Sequence, residues 1–381
     1  MYSLAGYGAM LADRVRIEAY AEALRRMVKP GSVVMDIGTG PGIWAVLACR
    51  LGAKRVIAIE PDSSIQLARE IASRNRCGDR IEFIERLSTR VDRPIQADVI
   101  ISDLRGVLPQ FDKNIPSVVD ARRRFLAPGG TLIARKDMVW SAVVEAPQTY
   151  NEYVDCWENN LLKQDLGPAR RRAANTPQKV RAKAEQLLTT PKLWTTVDYQ
   201  TIEDPDAKGT LEWVAKRSGT GHGILVWFDT ELAEDIGFSN APGAPETIYW
   251  PLFFPWPNPI SLTAGQRVRV SLVAKLVEDD YVWRWTTHIE PTTAAGEPVD
   301  FEQSSLEGDV LSLEAIRKQA SDYVPHLSED GRIERRTLEL MDGRASLGDI
   351  ARQLAIEFPS RFARWQQALS HAGVVSQKLG E

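Results

Sequence analysis

Asp36, Gly38, Gly40 and Gly42 follow the apolar run Val33-Val34-Met35, and Glu60 closes a second apolar run, Arg55 to Ile59. An acid ahead of three alternate glycines, with the helix-forming stretch Ile43–Arg50 behind them, reads as a buried strand, a tight turn and a helix N-terminus. A ligand can approach bare backbone at such a turn. An acid at the tip of the neighbouring strand can hold both hydroxyls of a ribose. The spacing is D-x-G-x-G-x-G, not the G-x-G-x-x-G of dinucleotide sites. It predicts a bound adenosine-type cofactor.

The elements that must position these residues come from the first third of the chain. Strands are expected at Val33–Ile37, Arg55–Glu60, Ile81–Glu85, Val99–Ser102 and Thr131–Arg135, and helices at Ala9–Met27, Ile43–Leu51, Ser63–Asn75 and Ser117–Phe125. This alternation predicts a parallel α/β sheet of Rossmann-like type. The pattern then changes. Trp194–Ile202, Thr210–Lys216, Gly223–Glu231, Thr247–Phe254, Arg267–Leu276 and Tyr281–His288 read as strands, several alternating by twos, as in an all-β, barrel-like domain. Seven of the eleven tryptophans fall in this region, so its core is aromatic. The polar stretch 159–191, with Arg170-Arg171-Arg172, reads as a helical linker or an arm. Beyond Glu307, helices are expected at Arg332–Met341, Leu347–Ala355 (Ser346 as N-cap, Asp349 completing an approximate capping box) and Arg361–His371, with a short strand at Val374-Val375. That makes a small α-rich, winged-helix-like module. The expected domains are therefore 1–140, 141–306 and 307–381.

The bulk composition sets limits. With 381 residues, 44% hydrophobic and 26% charged, the chain has room for two or three globular domains. A net charge of −4 argues against general nucleic-acid binding, and no apolar run is long enough to span a membrane. Three scattered cysteines and no signal peptide suit a reducing, cytoplasmic setting. The four histidines are well separated, so neither a histidine metal site nor a His-centred triad is expected.

The glycine turn resembles motif I of the class I S-adenosylmethionine (SAM) methyltransferases, whose cofactor is a sulfonium cation suited by Asp36 and Glu60. From the N-terminal helix to about Ile289 the chain looks like the protein arginine methyltransferases. Tyr7-Gly-Ala-Met10-Leu-Ala-Asp13-Arg14-Val-Arg16 is similar to the family helix that folds over the cofactor. The resemblance implies that Met10 packs near the sulfonium and Arg16 pairs with the cofactor carboxylate. Ser88 and Thr89 stand where the family contacts adenine, and Ser102 closes the strand before the catalytic loop.

That loop, Asp103-Leu-Arg-Gly106, is similar to the family's S-E-x-x-G segment, and its second acid position is Asp112. The resemblance implies that both acids grip a guanidinium. Two carboxylates can fix the plane of that poorly nucleophilic cation and draw positive charge away from the attacking nitrogen. Here both are aspartates. The shorter arm moves an oxygen by roughly 1–1.5 Å, a misplacement that can cost about a hundredfold. Arg105 would repel a cationic acceptor if it pointed inward. Tyr249, in Ile248-Tyr249-Trp250, replaces the histidine of the family's T-H-W segment; it can donate a hydrogen bond but is a poor base. Leu161 to Val180 stands where the family has its dimerisation arm, so the resemblance implies a homodimer. The run from Leu340 to Leu354 resembles PqqD-like peptide-binding modules, which hold a peptide as an added strand. The function implied is methyl transfer from SAM to a guanidine-type nitrogen of a peptide or protein. A small-molecule acceptor and a non-catalytic SAM-binding scaffold stand as alternatives.

Overall fold

A computed structural model of the chain describes residues 3–293 and 295–380. The chain divides into two compact units, 1–310 and 311–381.

The first unit opens with α1 (Leu4–Ala12) and α2 (Arg14–Met27), where the sequence predicts one continuous helix. Asp13 breaks it. Its carboxylate accepts from the Arg16 amide at 3.0 Å, so it starts a new helix instead of continuing the old one. β1 (Val33–Ile37), β2 (Arg55–Ile59), β3 (Ile81–Ile84), β4 (Ala97–Ser102) and β5 (Leu126–Ile133) form a parallel sheet in the order β3-β2-β1-β4-β5. Helices α3 (Ile43–Arg50), α4 (Ser64–Arg74) and α5 (Asn114–Phe125) connect them. The strand order reverses between β1 and β4, and Ile37 lies opposite Ser102. A crevice at the carboxyl ends of such strands is where open α/β sheets bind ligands.

The remainder of this unit is β-rich. Its strands are β6 (Lys136–Val144), β7 (Gln178–Lys179), β8 (Lys192–Asp198), β9 (Ala207–Val214), β10 (Gly219–Ala233), β11 (Ile236–Ser239), β12 (Leu252–Leu262), β13 (Arg267–Val277), β14 (Asp280–Ile289) and β15 (Val299–Ser304). They make two antiparallel sheets, β7-β12-β10-β6-β8 with β11 on β10, and β15-β14-β13-β9. The strand expected at Thr247–Phe254 begins only at Leu252. Before it, the Thr247 hydroxyl bonds both the amide and the carbonyl of Tyr249, and Pro251 has no N–H to offer a ladder. One hydrophobic core runs from the parallel sheet into these sheets, including Met35, Ile57, Phe228, Trp256 and Trp285. Burial on this scale fixes how the two regions meet.

Between β6 and β8 the chain forms α6 (Pro147–Tyr153) and α7 (Gly167–Ala174). Ala174 and Val180 are buried against β10 and β12, whereas Leu161 and Leu162 are 101% and 75% exposed. After α8 (Ser305–Gly308) comes the second unit, with α9 (Leu313–Lys318), α10 (Glu329–Leu340), α11 (Leu347–Glu357) and α12 (Trp365–Leu379). The capping box of Ser346 and Asp349 is present. The strand expected at Val374-Val375 is not: α12 runs through Gly373, and Ala368, Ala372 and Val375 place one helical face in the core. Among the described residues this unit has helices and no strand, so the wing of the expected winged helix is missing. No helix among them is long and apolar enough to cross a membrane.

Candidate functional site

The glycine turn sits at the carboxyl end of β1. Gly38, Gly40 and Gly42 all have positive φ (71°, 50° and 78°). Side chains are excluded for a second reason: a Cβ on Gly40 would lie 2.8 Å from the Tyr7 ring, and one on Gly42 would lie 2.9 Å from Ala68. Leu104 packs over Gly38. Asp36 braces the turn from below, accepting from the Thr39 hydroxyl at 2.5 Å and the Ala45 amide at 3.1 Å. Burial pushes the Asp36 carboxyl up to about 7, against the pull of those neutral donors. Glu60, at the tip of β2, accepts from the Gly40 amide at 3.0 Å and the Asp62 amide at 3.1 Å, and burial raises it too. Ser88 is buried and Thr89 exposed, in a single turn of 3₁₀ helix after β3. Ser102 is buried, and its hydroxyl has no hydrogen-bond partner among the described residues.

The second half of the site is assembled around Asp103, just past the tip of β4. Its side chain is 6% exposed and saturated with donors. Arg16 from α2 donates through Nε at 2.7 Å and also pairs through its terminal nitrogen. The hydroxyls of Tyr20 and Tyr249 both donate to Oδ1, at 2.8 and 2.9 Å. Burial alone would raise this carboxyl, but Arg16 and then Arg105, with the two tyrosines, hold it below the usual range. Tyr249 itself is pushed up by burial and by Asp103, so it remains a donor at neutral pH. Asp13 joins the two regions, because its second oxygen accepts from the Ile248 amide at 2.8 Å. Phe238 stacks on Tyr249 at 6.0 Å. Arg16 also donates to the Met10 carbonyl at 3.3 Å and lies over the Tyr20 and Trp44 rings; Met10 is half-buried on α1.

Asp112 is a correction to the two-acid grip. It is exposed, in left-handed backbone (φ 40°), and its charged neighbours are Asp279 and Asp280. The Phe111 ring folds back over Gly106. This compact turn leaves the second acid at the surface instead of beside Asp103. Arg105 does point inward, but Asp137 neutralises it at 2.6 Å. Sequence reasoning missed Tyr20, Asp137, Tyr199 and Thr230. They lie on α2, on β6, just after β8 and on β10, and no local motif announces them.

Two family models match the chain: "Ribosomal protein L11 methyltransferase (PrmA)" over residues 19–158 and "Arginine methyltransferase oligomerization subdomain" over 136–286. Similar proteins include a probable protein arginine N-methyltransferase 6 of Arabidopsis thaliana, 28% identical over 59% of this chain and 53% of that protein. A probable histone-arginine methyltransferase CARM1 of Oryza sativa subsp. indica is 30% identical over 70% of this chain and 54% of that protein. The chain thus spans about half the length of these relatives. It covers more, 72%, of protein arginine N-methyltransferase 1 of Dictyostelium discoideum, at 29% identity. Among solved structures, the Trypanosoma brucei PRMT1 enzyme-prozyme heterotetrameric complex with AdoHcy matches at TM-score 0.70 and 22% identity, over 78% of this chain and 97% of that one. Arabidopsis thaliana protein arginine methyltransferase 10 matches at TM-score 0.69 and 22% identity, over 79% and 97%. The two family models together span residues 19–286; over that span the chain is similar in sequence to methyltransferases, the arginine methyltransferases among them, and it shares the fold of solved protein arginine methyltransferases.

Proposed function

We propose that the chain is a SAM-dependent N-methyltransferase acting on the guanidine nitrogen of arginine in a peptide or protein. The observation that carries this reading is that a cofactor-type glycine turn and a buried, ionised Asp103 stand side by side at the β1–β4 crevice. The residues present fit the cofactor. Gly38, Gly40 and Gly42 hold the turn in left-handed backbone that only glycine adopts readily, and Glu60 offers an acid at the ribose position. Arg16, whose guanidinium is paired with Asp103, and Met10 would meet the methionine end. When bound, SAM supplies an electrophilic methyl group.

The chain's own residues do the rest. Asp103 would orient the acceptor guanidinium and hold its charge away from the attacking nitrogen, the tyrosine hydroxyls yielding part of Oδ1 to it. The attacking nitrogen forms a bond to the methyl carbon as the carbon–sulfur bond of SAM breaks, the demethylated cofactor leaves, and the guanidinium loses one proton to solvent water. Tyr249 stays protonated and does not take it. Rate enhancement here rests on position and electrostatics, without a strong base.

Calorimetric titration with SAM and with its demethylated product, followed by mass analysis of arginine peptides and of free arginine, tests the reading. Methylated peptide is the expected product, and no binding of either cofactor form would overturn it. The saturation of Asp103 and the departure of Asp112 favour a second reading, a small acceptor, which predicts product from free arginine alone.

The match to an oligomerization subdomain supports a homodimer, with exposed Leu161 and Leu162 on the arm as contact residues. Cys49, Cys77 and Cys156 are all free thiols, which fits a cytoplasmic setting.

A further inference from the structure

Arg105 lies two residues beyond Asp103 and is 4% exposed. Its guanidinium donates to Asp137 Oδ1 at 2.6 Å, to the Thr230 hydroxyl at 2.5 Å and to the Tyr20 hydroxyl at 3.1 Å. Asp137 on β6 and Thr230 on β10 face each other in register, so one side chain grips two neighbouring strands of the β-rich region. The Phe228 ring lies 5.5 Å away. The Arg105 Nε stays 3.7 Å from Asp103 Oδ1, too far for a hydrogen bond.

Tyr20 completes a relay. It receives from Arg105 and donates to Asp103 at 2.8 Å. The other oxygen of Asp137 accepts from the Tyr199 hydroxyl at 2.6 Å. Tyr199 is in turn met by Asn114 Nδ2 at 3.3 Å, and the same amide donates to the Pro109 carbonyl at 3.0 Å. The loop from Asp103 to Lys113 is therefore tied to Asp137 near its start, through Arg105, and at its end, through Asn114 and Tyr199.

We propose that Arg105 is a positioning residue: paired with Asp137, it pins the Asp103 loop to the β-rich region and, through the Tyr20 hydroxyl, sets where the Asp103 carboxylate faces the acceptor. The proposal rests on the reading that Asp103 meets the acceptor. Asp137 and Thr230 have a second effect. By engaging Arg105 they keep its guanidinium from closing on Asp103 and competing with the acceptor. Two guanidiniums, Arg16 and Arg105, and two carboxylates, Asp103 and Asp137, leave the buried cluster formally neutral, so the pair can be removed together without stranding a charge.

The test compares the full chain with Arg105→Met/Asp137→Ala and with Arg105→Lys. The double variant is expected to unfold cooperatively and to bind the demethylated cofactor within about twofold of the parent. Amide hydrogen exchange in 103–112 should speed by at least about tenfold, while β1 and α3 stay protected. Turnover of an arginine peptide should fall about 10- to 100-fold in kcat, with KM little changed. Arg105→Lys keeps the charge but not the fork, and should lie between the two. Unchanged exchange in 103–112 overturns the proposal, as does an equal loss of cofactor affinity, which would mark a general structural role. Exchange is read without turnover. A parent chain that methylates nothing would thus sink the methyltransferase reading and leave the positioning role to be decided on exchange.

Discussion

The two halves of the site each bury an aspartate, and the two behave oppositely. Asp36, under the glycine turn, meets only neutral donors, Thr39 and Ala45, and burial drives its carboxyl up to about 7. Asp103, at the proposed acceptor corner, has a side chain only 6% exposed but lies between two guanidiniums and is held low. Hydrogen bonds from neutral groups do not compensate the loss of water around a charge, whereas cations do. The proposed cofactor half is thus a shape, held by backbone and neutral contacts. The acceptor half is a charge cluster whose members depend on one another.

That contrast is sharpest under substitution. Asp103→Asn should leave the buried Arg16 facing a neutral amide and cost about 3–5 kcal/mol, read as a lower urea midpoint, with loss of peptide turnover. Asp36→Asn should cost far less at pH 8. Equal costs would break the comparison.

The pH dependence follows with opposite signs. The folded state holds the Asp36 proton more tightly than the unfolded chain does. This contribution is full below the ordinary value of 3.8 and is lost as pH rises through about 7. The loss is on the order of 1–4 kcal/mol, and thermal unfolding scans of the parent between pH 4 and 8 should show a decline that Asp36→Asn makes shallower. Asp103 contributes above the ordinary value, and its contribution is lost only as pH falls through its lowered one. A decline unaltered in Asp36→Asn would refute the assignment.

Tyr249→Phe removes one donor from an ionised acceptor, worth about 1.5–3 kcal/mol. Turnover should fall about 10- to 100-fold while cofactor affinity holds, and a parallel loss of both would place Tyr249 in the cofactor half. The smallest effect is expected for Asp112→Asn. An exposed residue in left-handed backbone that asparagine also adopts should change stability by less than about 0.5 kcal/mol and leave turnover within about twofold. A large kinetic loss there would restore the two-acid grip.

Legibility in the sequence followed the distance between interacting residues. The parallel sheet, the glycine turn and the cap at Ser346 are local patterns within a few residues of one another, and each is present. Asp13 was visible as a residue but not as a helix break. The capping bond that makes the break spans only three residues, yet it competes with a strong helical pattern. Val374-Val375 misled because two β-branched residues after a glycine resemble a strand start, while packing of Ala368, Ala372 and Val375 outweighs that preference.

By itself the sequence determined the cofactor half. Asp36 through Gly42 is contiguous, and backbone geometry at adjacent residues is dictated by their own side chains or the lack of them. Only the tertiary structure decided the acceptor half. Arg16 and Tyr20 come from α2, Asp103 and Arg105 from the loop after β4, Asp137 from β6, Thr230 from β10 and Tyr249 from the segment before β12, and which acid meets which cation depends on how the sheets close around a shared core. Charge pairing acts through space, and a spacing of nine residues could not say that Asp103 turns inward and Asp112 out.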